Sequence, residues 1–413
     1  MFDKTIVKNI GSLFSIQLAS YILPLITLPY LVRVLGIEGY GYLGLTQAIC
    51  QYATLVVNYG FNLSATSSIA KDREDQSKVS KIFWNVFAIK VTSFSLCLII
   101  VLGLSNFIDI ISDILPIILA CFVGVLGVAL FPQWLFQGKE QLGLVSIARV
   151  ISQLLIIPLL FVCVTNINDI WIAALILSLP TFIVSLYSLY LVYKRDWIFW
   201  VRPTSKTLCN QLVDGWHIFL STAAISLYTT SVTVVLGVIS GPVSVGYFSA
   251  ADKLIKAILN LYGTISNAYY PRVNAIVSES NELARKLLVK LGLLLTVVAT
   301  ASSLLVFTLA DFCIDFLFGP GHENTIEILK ILSILPIIIS MSNFFGIQVL
   351  IPFGCKKQFS KILILSGGAS IFLMIPMIML YGEFGAAISV VITELIVTFS
   401  MGYTVYKKEL LKV

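Results

Sequence analysis

The sequence predicts an all-α polytopic membrane protein: twelve transmembrane helices in two six-helix lobes related by a parallel repeat. Three observations carry this prediction. First, 58% of the 413 residues are hydrophobic and only 12% are charged, where an ordinary soluble domain carries about 25% charge. The mean hydropathy is +0.97. Second, the apolar residues form continuous runs of about 20, the length of a membrane-crossing helix and about twice that of a barrel strand. Third, the basic residues alternate from loop to loop. A soluble enzyme, a disordered chain and a disulfide-stapled mini-protein are excluded, because each needs a far more polar or Cys-dense composition.

The expected spans are 11 to 32, 43 to 66, 82 to 104, 114 to 136, 143 to 164, 170 to 193, 211 to 237, 246 to 270, 288 to 310, 328 to 350, 362 to 381 and 384 to 406. The first is too long for the apolar region of a cleaved signal and contains Pro24 and Pro29, so it reads as a retained helix. Of the 27 basic residues, 21 fall at the termini and in the loops after even-numbered spans; Lys71, Arg73, Lys139, Lys194, Arg195, Lys356 and Lys357 are among them. Lys/Arg excess marks the cytoplasmic side, so both termini are expected there. Glu38, Asp113, Asp169, Asp311 and Glu383 fall on the other side. The six remaining cations are Arg33, Lys90, Arg149, Lys253, Lys256 and Lys330. The seven cysteines, Cys50, Cys97, Cys121, Cys163, Cys209, Cys313 and Cys355, lack paired spacing and read as small apolar packing residues.

Short matches recur at offsets near 200 to 220 residues. Leu35-Gly36 with Gly41-Tyr42 echoes Leu236-Gly237 with Gly246-Tyr247, Gly138-Lys139 echoes Gly354 with Lys356, and Ile157-Pro158 echoes Ile375-Pro376. Six spans per half keep the same orientation, so the repeat is parallel. The expected lobes are 1–205 and 206–413.

Polar residues inside the spans are the candidate functional groups, since charge at mid-membrane costs about 2.5 to 3.5 kcal/mol on insertion scales. Span 8 carries Ser249, Asp252, Lys253, Lys256, Asn260, Gly263, Thr264 and Asn267 on one helix face; span 2 carries Gln47, Gln51, Thr54, Asn58 and Asn62 at the same periodicity. Both faces read as walls of a wet cavity that binds substrate. The competing readings are an internal Asp252–Lys256 pair and amide bonds between helices. Asp214, His217 and Ser221 share a face at the start of span 7; the first two are either a proton carrier or a hydrated entry turn. Arg149, near Ser146 and Gln153, and Arg33 either line the cavity or snorkel to the surface. Lys90 is expected to snorkel. Glu394 is either a proton-coupling carboxylate or a hydrogen-bonded acid between helices. No GxxxxGK[ST] pattern or metal-spaced His/Cys cluster occurs and His322 stands alone, so no cofactor, metal or enzymatic activity is expected.

Four segments carry a resemblance: Pro29-Tyr30-Leu31-Val32-Arg33-Val34-Leu35-Gly36, Tyr59-Gly60-Phe61-Asn62-Leu63-Ser64-Ala65-Thr66, Trp134-Leu135-Phe136-Gln137-Gly138-Lys139-Glu140, and Ser240 through Lys253. They are similar to O-antigen flippases of the Wzx family, within the multidrug/oligosaccharidyl-lipid/polysaccharide exporter superfamily. The resemblance implies a MATE-like transporter architecture in the bacterial inner membrane. It also implies alternating access between two lobes, moving an undecaprenyl-pyrophosphate-linked oligosaccharide from the cytoplasmic to the periplasmic leaflet in lipopolysaccharide O-antigen biosynthesis. Membrane lipid and the polysaccharide polymerase and chain-length machinery are the other candidate partners; no nucleic acid is expected. Two alternatives stay open: a multidrug or small-solute antiporter of the same fold, which would line its cavity with carboxylates, and a non-transporting scaffold, which needs no charge at mid-membrane depth.

Overall fold

The computed structural model describes residues 4–279 and 281–411, and among them every regular element is helical. The chain runs through α1 (Lys4–Asn58), α2 (Phe61–Lys71), α3 (Gln76–Leu104), α4 (Asp109–Asp113), α5 (Leu115–Leu130), α6 (Gln133–Gly138), α7 (Gly143–Leu154) and α8 (Ile156–Cys163). It continues through α9 (Ile170–Lys194), α10 (Ser205–Thr229), α11 (Ser231–Glu279), α12 (Asn281–Phe318), α13 (Glu323–Leu332), α14 (Leu335–Asn343), a π-helical segment Phe344–Leu350, and α15 (Lys356–Lys407). Among the described residues, eight helical stretches are long and apolar enough to cross a membrane, two of them 56 and 52 residues long. The protein is a multi-pass membrane protein.

The longest helices exceed a single crossing: 52 residues at 1.5 Å each would reach about 78 Å against a hydrocarbon core of about 30 Å. A glycine at positive φ divides each of them: Gly36 (φ 71°, ψ 172°) in α1, Gly241 (φ 83°, ψ 178°) in α11 and Gly382 (φ 54°, ψ −130°) in α15. Only glycine takes such angles without a Cβ penalty. In α15 the chain folds back at Gly382, because Phe359 before it and Met401 after it both press on Gly346. Cut at these glycines, the helices agree with a twelve-span count. The near-identical angles make Gly241 the counterpart of Gly36, a correction to the sequence alignment that paired Leu35-Gly36 with Leu236-Gly237.

Two expected spans are broken. Span 2 stops at Asn58 and restarts at Phe61, across Tyr59 (φ 45°) and Gly60 (φ 90°). A Cβ on Gly60 would sit 2.8 Å from Ile218 and 3.2 Å from the Gly215 carbonyl, so α10 packs directly on the break. Span 4 stops at Leu130, where Phe131 turns extended (φ −76°, ψ 112°) before Pro132, as a residue preceding proline must.

Packing divides the chain into two compact units, meeting between Ala223 and Ala224 and not at the expected 205/206. The linker and the first half of α10 are held by the first unit. Trp84 Nε1 donates to the Phe199 carbonyl at 3.0 Å, Thr207 Oγ1 bonds Asn85 at 2.9 Å, and Phe219 stacks on Tyr59 with centroids 4.6 Å apart.

Within the first unit, loops of like parity meet. At one end Tyr30 donates to the Val164 carbonyl at 2.6 Å and Gly36 lies against Ile167. At the other, Arg73 pairs with Glu140 at 2.7 Å, Lys139 donates to the Arg73 carbonyl at 3.1 Å, and Arg195 reaches Gln141 at 3.1 Å. The guanidinium of Arg73 holds the Glu140 carboxyl below the usual carboxylate range. The second unit repeats the sorting: Ser244 and Asn324 both donate to Glu383 at one end, and Arg285 bonds the Leu410 carbonyl at the other. The side chains of Lys4, Lys8, Arg272 and Lys412 lie outside the described residues. A reporter fused after Lys81 or Lys206 is expected to read as cytoplasmic and one at Asp169 or His322 as periplasmic; a swapped readout would invert the orientation.

The cysteines are all free. Cys50, Cys121 and Cys355 are buried as expected for packing residues, but Cys163 and Cys209 are exposed, so packing accounts for only part of the set.

Candidate functional site

The polar groups that converge lie inside the first unit. The break after Asn58 ends α1 with that amide turned inward, and the restart places Asn62 in the first turn of α2. The Phe131 carbonyl, freed because Pro132 stops α5, projects into the same space. Lys90, near the middle of α3 and only 1% exposed, meets both: its Nζ donates to Asn58 Oδ1 at 3.3 Å and to the Phe131 carbonyl at 3.4 Å. The ammonium also stands 4.6 Å above the ring of fully buried Trp134, a cation–π contact. The expectation that Lys90 snorkels is overturned: a freed backbone carbonyl, an amide and an aromatic face hold it inside the unit.

These groups open onto a cavity of about 210 Å³, lined also by Gln133, Arg149, Gln153, Pro180, Thr181 and Val184. Among the described residues the lining holds two cations and four side-chain amides but no carboxylate. Asn62 Oδ1 and Trp134 Nε1 are buried without a hydrogen-bond partner among the described residues. The first turn of α2 adds backbone N–H groups with no helical acceptor, since the first helical bonds run from Leu63 and Ser64 to Gly60, and a helix start favours negative charge. Such a chamber offers binding to an anion and to hydroxyl groups, and repels a cation.

The predicted residues are distributed unevenly about this chamber. Asn58, Asn62 and Arg149 line it, with Gln153 one turn from Arg149. Gln47 is half-buried higher on α1 and Gln51 is exposed; neither belongs to the lining. Arg33 is exposed beside the Gly36 turn. In the second unit Lys256 pairs with Asp252 at 2.6 Å on α11, the internal ion pair that the spacing allows. Lys253 is half-buried and Asn260 exposed, while the side chains of Thr264 and Asn267 lie outside the described residues. Asp214 and His217 are both exposed on α10, and no hydrogen bond joins them among the described residues. Glu394 is buried at 8% exposure within the second unit and is not among the residues that line the chamber.

The family model described as "Polysaccharide biosynthesis protein" matches residues 6–277. The chain is 38% identical over 405 residues to a "Putative O-antigen transporter" of Escherichia coli (strain K12), covering 98% of this chain and 97% of that one. It is 33% identical to a protein of the same name from Shigella dysenteriae, over 95% of this chain and 98% of the other. In structure it is similar to a multidrug resistance MATE family transporter of the MOP superfamily in an inward-facing conformation, with a TM-score of 0.80 at 14% identity over 94% and 95% of the two chains. At that identity the likeness speaks for the fold alone, which is the MATE-like architecture. Matched by the family model over most of its length and by these relatives over nearly all of it, the chain belongs to the polysaccharide biosynthesis protein family.

Proposed function

We propose that the protein is a flippase that carries a lipid-pyrophosphate-linked oligosaccharide from the cytoplasmic to the periplasmic leaflet of the bacterial inner membrane by alternating access. Its role is the supply of O-antigen units, with undecaprenyl pyrophosphate as the carrier. It is a carrier and not a catalyst: the head group crosses and no bond changes. The names of the two curated relatives support the substrate class. The observation that carries the reading is the carboxylate-free chamber around Lys90 and Arg149.

A pyrophosphate-sugar head is anionic and rich in hydroxyls. Ammonium and guanidinium groups meet the phosphates through charge-assisted bonds, and Asn58, Asn62, Gln133 and Gln153 offer both donors and acceptors to sugar hydroxyls. The cavity is smaller than a whole oligosaccharide, so it takes the charged end while the polyprenyl tail stays in lipid. A multidrug antiporter of the same fold, attracting organic cations, would need carboxylates where this chamber has none. The polymerase and chain-length proteins are the natural recipients on the far side.

With a negative cell interior, an anion moving outward travels downhill by about 2.3 kcal/mol per charge per 100 mV. Roughly two charges would give about 4 to 5 kcal/mol per 100 mV by the same rule, so proton coupling through Asp214, His217 or Glu394 is not required. Reconstitution in liposomes with a potassium-diffusion potential and no pH gradient is expected to show flipping that grows with an inside-negative potential. Transport indifferent to the size and sign of that potential would refute this driving force, and no transport of any lipid-linked glycan would refute the function.

A further inference from the structure

The second unit carries a different cationic feature at the start of α15. Lys356, Lys357, Ser360 and Lys361 rim an open groove of about 440 Å³ whose remaining walls are Ile364 and Leu365. All three lysines are exposed, and their side chains make no ion pair or hydrogen bond among the described residues. Ile364 and Leu365 are 40% and 62% exposed. Polar heads therefore stand at the helix start and unpartnered apolar side chains follow one turn further along, the order of groups in a lipid with a charged head.

The first unit supplies an internal comparison. At the matching position of the sequence repeat, Lys139 is engaged: it donates to the Arg73 carbonyl and stands 5.6 Å over Trp197, while neighbouring Arg73 is neutralised by Glu140. Basic side chains of a loop can be tied down in this way, as Arg73, Lys78, Lys139 and Arg195 of the first unit are. The three lysines of the second unit are left available at a groove with an apolar wall.

We propose that this groove is the docking site at which the pyrophosphate head of the lipid-linked substrate is first captured from the cytoplasmic leaflet, its first isoprene units lying on Ile364 and Leu365. This rests on the flippase reading and adds a second contact point, in the other unit, to the Lys90 chamber. Charge complementarity selects the occupant: three clustered ammonium groups match a head with at least two negative charges, whereas the phosphodiester of an ordinary anionic phospholipid carries one. Capture at the surface precedes crossing, so the groove governs how much substrate is held at low concentration, and the chamber governs the crossing.

The test uses the full chain in nanodiscs and proteoliposomes, with undecaprenyl pyrophosphate as the binding probe and a short lipid-linked glycan as the transported one. Exposed lysines replaced by glutamine leave packing intact, so K356Q/K357Q/K361Q is expected to fold normally. Its half-saturating substrate concentration should rise about 100-fold at low salt, from about fivefold for each of the three surface lysines, with the maximal flipping rate nearly unchanged. Lys90→Met should do the reverse. Unaltered saturation in the triple variant, or equal displacement of the probe by phosphatidylglycerol, would overturn the docking site while leaving the flippase reading intact; that reading fails only if the unmodified protein moves no lipid-linked glycan.

Discussion

Replacing Lys90 by methionine is expected to lower the flipping rate by about 10- to 100-fold, the loss of one charge-assisted contact of roughly 1.5 to 3 kcal/mol. Methionine keeps most of the volume against Trp134 and removes the charge. The substitution strands Asn58 Oδ1 and the Phe131 carbonyl, which lose their donor. A modest stability penalty is therefore expected too, and the two effects must be separated. Lys90→Arg does so: it keeps the charge and the donors but spreads them over a planar fork, and should retain more transport than Lys90→Met at equal membrane abundance. The measurement is initial flipping rate per inserted protein, with insertion followed by fluorescence-detected gel filtration. Full activity in Lys90→Met would remove the chamber from the transport path.

The second large effect is structural. Gly127 in α5 faces the backbone of α9: a Cβ there would lie 2.6 Å from the Phe182 nitrogen and 2.7 Å from its Cα. Backbone cannot swing aside as a side chain does, so Gly127→Ala forces the helices apart. Overpacking of this kind costs about 1 to 3 kcal/mol, and Gly127→Leu should prevent stable insertion. The same movement displaces Pro180, Thr181 and Val184, which wall the chamber, so transport should fall further than the abundance of folded protein. Gly368 in α15 is the control, with nothing within 4 Å of a built Cβ; alanine there should be neutral or stabilising by about 0.5 to 1 kcal/mol. Thermal unfolding in detergent ranks Gly127→Ala and Gly368→Ala against the unmodified chain, and membrane abundance reports on Gly127→Leu. Equal melting of Gly127→Ala and the unmodified chain would mean the α5–α9 approach is looser than described.

Spans were legible because a bilayer demands the same thing of every crossing, a long apolar run, and that demand is local in sequence. Half the chamber was legible for a related reason. Asn58 and Asn62, four apart, and Arg149 and Gln153, also four apart, declare a polar face by periodicity. Lys90 did not, because a lone lysine in an apolar helix has the same sequence signature whether it reaches the surface or is held inside. What decides is the Phe131 carbonyl, brought to it from another helix. The Phe131-Pro132 step was the available signal, since a proline inside an expected span leaves backbone acceptors in need of a donor. In span 8, by contrast, the favourable spacing of Asp252 and Lys256 was realised as an ion pair. The boundary between units was hidden because α10 is continuous in sequence, while its first half is held by Tyr59 and Asn85.

The glycine turns at Gly36 and Gly241 also bear on how the chain enters the membrane during synthesis. Between Asp214 and Asp252 no acidic or basic residue other than His217 occurs, so where the two helices meet at Gly241 they offer the insertion machinery no charge with which to choose a direction; the first comes with Asp252, Lys253 and Lys256. They must enter together as one hairpin, oriented by what was laid down before them. The last basic cluster before them is Lys194, Arg195, Arg202 and Lys206, which the excess of Lys/Arg in cytoplasmic loops leads one to expect on the ribosome side. On that expectation those four cations orient the pair before Arg272 and the basic residues after it have been translated.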